Sequence, residues 1–135
     1  MKVNVAPDAI VMRFPPVQPE AVLKKATQEH RRTGRYAVSV FADEAGQGES
    51  AEAVEARLLQ ASELAGIDPA RNPNYYVCRA RVLLDMEFTF WKYDDEPDKS
   101  KELPEHYSVD LGQDPTLGDA SRFVGVFGPS LRRPR

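Results

Sequence analysis

Apolar and polar positions alternate early in the chain. In the run Ala9–Phe14, Ile10, Met12 and Phe14 alternate with Val11 and Arg13, the period of a strand with one buried face, and Pro15-Pro16 ends it. Pro19 suits a first helical position. Val22, Ala26 and His30 then recur every four residues with Leu23 beside them, which predicts an amphipathic helix to about Thr33, closed by Gly34. From Tyr36 to Ala42 both alternating sets are largely apolar, so this strand is expected to be covered on both faces and to lie centrally. The polar loop Asp43–Glu49 leads into a helix capped by Ser50. Val54, Leu58, Ala61 and Ala65 line one side of it with Leu64 alongside, and Gly66 and Asp68-Pro69 stop it.

In the second half, Tyr76, Cys78, Ala80 and Val82 alternate with Tyr75, Val77, Arg79 and Arg81. The pattern predicts a strand with an inward cysteine and two outward arginines, while Leu83–Met86 is ambiguous. Glu87–Tyr93 sets Phe88 and Phe90 against Thr89, Trp91 and Tyr93 and has strong β propensity. The charged run Asp94–Glu105 is expected to be a solvated loop. His106–Leu111 is a further strand with Tyr107, Val109 and Leu111 inward and His106, Ser108 and Asp110 outward. A last helix, capped by Asp114 or Thr116, buries Leu117, Ala120, Val124 and Phe127 with Phe123 alongside, despite Gly118 and Gly125. The basic tail Ser130–Arg135 is expected to be disordered.

The order β-α-β-α-β-β-β-α predicts an α+β class: a single layered domain over residues 1–129, with a mixed or antiparallel sheet of about five strands and three helices. The first β-α-β unit allows a parallel pair with a right-handed crossover, and the last three strands an antiparallel meander.

Composition changes this picture little. With 135 residues, 41% of them hydrophobic, the chain supports one core. No apolar stretch approaches the roughly 18 residues that cross a bilayer, and Val3–Asp8 has no apolar signal region, so no membrane association is expected. The single cysteine makes a cytoplasmic location the expectation and leaves no thiolate set for zinc; no metal or cofactor is implied. The net charge of −3 hides segregation. Residues 1–35 hold seven basic against three acidic side chains, 36–70 one against seven, 71–93 four against two, 94–121 two against nine, and 122–135 four against none. Such blocks are most simply neighbours in the fold.

Several groups are candidates for chemistry. Lys24, Lys25, Arg31, Arg32 and Arg35 share one side of the first helix if its turn persists to Arg35, a patch suited to phosphates or an acidic partner. Gly46-Gln47-Gly48 before a helix is a weak anion signal amid Asp43, Glu44, Glu49 and Glu52. His106 and Asp110 share a strand face, where Arg79 and Arg81 of a neighbouring strand would hold an anion while His106 moves a proton. Cys78 reads as buried and inert. No catalytic motif stands out. The first expectation is therefore an accessory protein that docks on another protein through its segregated charges, with Asp94, Asp95, Glu96 and Asp98 meeting a basic surface. The alternative is an enzyme or binding protein for a nucleotide or phosphorylated small molecule using Arg79, Arg81 and His106. Nucleic-acid binding through the first helix is third.

Overall fold

The computed structural model describes residues 1–92 and 103–134. Among them are seven strands, β1 (Lys2–Val3), β2 (Ile10–Arg13), β3 (Ala37–Asp43), β4 (Asn74–Arg79), β5 (Thr89–Trp91), β6 (His106–Asp110) and β7 (Leu131–Arg132). Four helices accompany them, α1 (Pro19–Thr33), α2 (Ala51–Leu64), α3 (Ala80–Asp85) and α4 (Leu117–Gly125). The strands form one antiparallel sheet in the order β1-β5-β6-β3-β2-β4-β7, so the class is α+β. β3 is the middle strand, as its two apolar faces imply. The parallel option for the first β-α-β unit is not taken. Ile10 faces Asp43 and Met12 faces Phe41, so α1 returns the chain to the end of the sheet where β2 finished.

Each sheet face has its own cover. Val11, Val38, Val40, Phe90 and Val109 pack with Val22 and Ala26 of α1, Ala80 and Leu83 of α3, and Ala120 and Phe123 of α4. On the other face Ile10, Met12, Phe41 and Tyr75 pack with Val54, Leu58, Leu59 and Ala61 of α2. β2 is therefore buried on both faces rather than one, and Arg13 is only 5% exposed. The helix ends follow local rules. Gly34 closes α1 at φ 84°, the Ser50 hydroxyl accepts from the Ala53 N–H, and Thr116 and Asp119 make a reciprocal capping box on α4.

Four further expectations change. β4 stops at Arg79, because Ala80 and Leu83 are buried at a helical spacing and the Ala80 N–H donates to the Ala9 carbonyl; Arg81 thus sits on α3. Leu64 and Leu117 are exposed, and Leu59 occupies the core position beside Leu58. The tail is structured as far as Arg133. Leu131 pairs with Tyr75, and the Arg133 guanidinium donates to the Asn72 carbonyl and lies 5.0 Å from the Phe14 ring. Finally, His106 and Ser108 are buried rather than wet, because the register sets Phe41 opposite His106 and Trp91 opposite Ser108 on the same face.

Candidate functional site

The residues singled out from sequence do not converge. β4 and β6 are separated by β2 and β3, about 14 Å at ordinary strand spacing. Arg79 Nη1 donates to the Asp8 carbonyl at 2.8 Å and Arg81 pairs with the Asp8 carboxylate, so both arginines brace the loop before β2. His106 packs against Phe41, with ring centroids 5.4 Å apart, at the opposite end of β6 from Asp110. Asp110 instead accepts from Arg35 Nη1 at 3.0 Å and from the Gly112 N–H at 2.7 Å.

The basic face of α1 is smaller than expected. Gly34 turns the chain before Arg35, which leaves the helix, and Arg32 pairs with Glu29. Lys24, Lys25 and Arg31 remain exposed. The Gly46 N–H is occupied by Glu49 Oε1 at 2.9 Å, and Arg57 clamps Glu49 at 2.5 Å and Asp43 at 2.9 Å, so the chain's own carboxylate fills the glycine loop. Tyr75 is buried with its hydroxyl on Glu55, and Trp91 is covered by Arg35. Tyr93, Asp94, Asp95, Glu96 and Asp98 lie outside the described residues. Cys78 is half-buried, and desolvation pushes its thiol up to about 12. Among the described residues no three His, Cys, Asp or Glu are grouped to hold a metal, and no helix is long and apolar enough to cross a membrane.

A cleft of ≈ 970 Å³ does gather polar groups, between the C-terminal end of α1, the α3–β5 turn and the β6–α4 loop. Its walls are stacked planes. His30 lies on Tyr36 at 4.1 Å and 14°, the Arg35 guanidinium sits 3.3 Å from the Trp91 ring centre, and Arg122 sits 5.4 Å from that of Phe88. Trp91 Nε1 donates to Thr89 Oγ1 at 2.9 Å, which fixes the indole that Arg35 covers.

Two carboxylates on this cleft stand on left-handed backbone. Glu87 has φ 67° and Asp114 φ 47°, and no other non-glycine among the described residues has positive φ. Glu87 occupies the position after the α3 cap. Its N–H donates to the Leu84 carbonyl and the Phe88 N–H to the Leu83 carbonyl, the pair of bonds that usually requires glycine there. Neither carboxylate has an ionic partner among the described residues, whereas Arg35 is matched by Asp110 and Arg122 by Asp119. The C-terminal end of α1, which carries the negative end of the helix dipole, borders the same space. The sequence pattern puts Glu87 at the start of a strand and Asp114 at a helix cap, and gives neither a site role. The available signal was an acidic residue between Met86 and the Phe88 strand, and an aspartate two residues after Gly112 and before Pro115.

No protein-family model matches the chain, and no match was found among curated proteins or among solved structures.

Proposed function

We propose that this domain binds a small polar molecule bearing a cationic nitrogen in the cleft bordered by Glu87 and Asp114. The observation that carries the reading is the placement of both left-handed, non-glycine carboxylates on one cavity. Holding Glu87 at φ 67° costs about 1–2 kcal/mol that glycine would avoid, and strain of this kind gathers where a side chain is needed. Two carboxylates without an ionic partner among the described residues, together with a helix C-terminus, support an ammonium group at that side of the cleft, whose lining also carries Lys2 and the carboxylate-matched Arg35 and Arg122. The Tyr36 and His30 rings supply a flat wall for the rest of the ligand.

A phosphorylated ligand held jointly by Arg79, Arg81 and His106 has less support, because both arginines are engaged by Asp8 and are distant from His106. Docking on another protein retains Lys24, Lys25 and Arg31 as support, while Arg32, Arg35, Arg57, Arg81 and Arg122 are matched within the chain.

The test is a thermal-shift series of the full chain with diamines, free amino acids, nucleotides and sugar phosphates, since a ligand of the folded state raises its melting temperature. Amine-bearing compounds are expected to raise it saturably, and Glu87→Gln with Asp114→Asn to remove the effect. A shift from phosphates alone, or an amine shift that survives both substitutions, overturns the reading.

A further inference from the structure

Arg13 ends β2 with its guanidinium inside the fold. Desolvation lowers its pKa to about 10, which still leaves it a cation at neutral pH. Nη2 donates to the Pro16 carbonyl at 2.7 Å, and Nη1 lies 3.5 Å from the Ser39 carbonyl, the outer limit of a hydrogen bond. Nε is buried with no hydrogen-bond partner among the described residues, and the Phe123 ring lies 5.3 Å from the guanidinium carbon. No carboxylate among the described residues pairs with it. Buried charges are ordinarily paired, because removing an ion from water is costly unless an opposite charge and full hydrogen bonding replace the solvent.

Arg13 also lines a second cavity, of ≈ 350 Å³, at the end of β2 beside α1 and the start of β3. Lys25 stands on the same wall, exposed and without an ion pair among the described residues. The one carboxylate on that wall among the described residues, Glu29, is engaged by Arg32. Gln28 and Asn72 add amide groups, and Phe14, Phe41 and Ile67 form an apolar side. The cavity therefore presents uncompensated positive charge and polar donors over an apolar surface, and it shares no lining residue with the cleft described above.

We propose that this cavity is an oxyanion site for a small molecule carrying a carboxylate or phosphate group, with Arg13 as the buried partner and Lys25 as the exposed one. The guanidinium fork suits either group. An organic portion of the ligand would lie against Phe14, Phe41 and Ile67.

Benzoate and phenyl phosphate, which share a ring and differ in the anion, test this in calorimetric titration of the full chain at constant ionic strength, with neutral benzamide as control. At least one anion is expected to bind saturably where benzamide does not. Binding by one alone assigns a carboxylate or a phosphate ligand, and binding by both assigns the shared chemistry. Arg13→Met should weaken binding at least about ten-fold, without lowering the melting temperature of the free protein. Lys25→Gln, at an exposed position that leaves folding intact, should weaken binding about three-fold, and it decides the question if Arg13→Met does not fold. The proposal is overturned if neither anion binds, if benzamide binds equally well, or if the folded variants bind as the parent does.

Discussion

The Arg35 guanidinium lies over the Trp91 ring, 3.3 Å from its centre, while its Nη1 is bonded to Asp110 at 3.0 Å. One side chain thus ties the segment after α1 to β5 and β6, and Asp110 is further held by the Gly112 N–H. Replacing Arg35 by Ala removes the stacking and the ion pair together. With the arginine side chain 39% exposed, the loss should be about 1–2 kcal/mol. Arg35→Lys should recover little of it, because an ammonium cannot lie flat on the indole. Trp91 is the only tryptophan in the chain, so its fluorescence emission reports the change directly. Unaltered emission and an unaltered urea midpoint in Arg35→Ala would refute the coupling.

Glu87→Gly separates folding from binding. Glycine adopts φ 67° without the steric cost that glutamate meets, although it loses more backbone entropy on folding. The balance predicts stabilisation of about 0.5–1 kcal/mol, seen as a higher urea midpoint. Glu87→Ala keeps the Cβ and should give no such gain. Amine binding should be lost in both variants. If Glu87→Gly is less stable than the parent, the left-handed backbone is not a source of strain.

How much of this was legible in the sequence depended on how many residues carried each signal. β3 could be placed centrally because seven residues repeat the same two-sided pattern, and α1 because Pro19, a four-residue apolar step and Gly34 agree. β1 and β7 are two residues each, too short for any period, and exist only because Trp91 and Tyr75 lie beside them in space. The run Arg79–Leu84 fits alternation and helical spacing alike. Its helix is selected by tertiary bonds from Ala80 and Arg81 to the Ala9 and Pro7 carbonyls. The sites were less legible still. Arg79, Arg81 and His106 were paired on an assumed adjacency of β4 and β6, and sheet order is a long-range property that no local spacing encodes. Arg13 looked like the solvent side of a strand, since nothing local indicates that α1 and α4 cover that face.

Cys78 should be almost unreactive in the native state. Burial pushes its thiol up to about 12. Against an ordinary thiol near 8.5, that leaves a thiolate fraction roughly a thousand-fold smaller at pH 8. A disulfide reagent should therefore label the native chain far more slowly than the urea-unfolded chain at the same pH. Equal rates would mean that β4 opens readily to solvent.

The Arg57 clamp on Glu49 makes stability depend on pH in a defined window. Hydrogen bonds from Arg57 and from the Gly46 N–H hold the Glu49 carboxyl down at about 2, against an ordinary value of 4.5. A carboxyl whose folded-state pKa is depressed favours the folded state while it is ionised. Its contribution is complete above the unfolded pKa and is lost as the pH falls from about 4.5 toward 2. Asp119 is likewise lowered, by the hydrogen bond from the Thr116 N–H, so the informative quantity is the difference between the parent and Glu49→Gln. The two urea midpoints should be furthest apart above pH 5, should approach each other through the window, and should stop changing relative to one another near pH 2. Because the pair is open to solvent, 1 M salt should shrink the difference. A constant offset across the whole range would show that the clamp exists without contributing to folding, and that Glu49 serves only to close the loop onto Gly46.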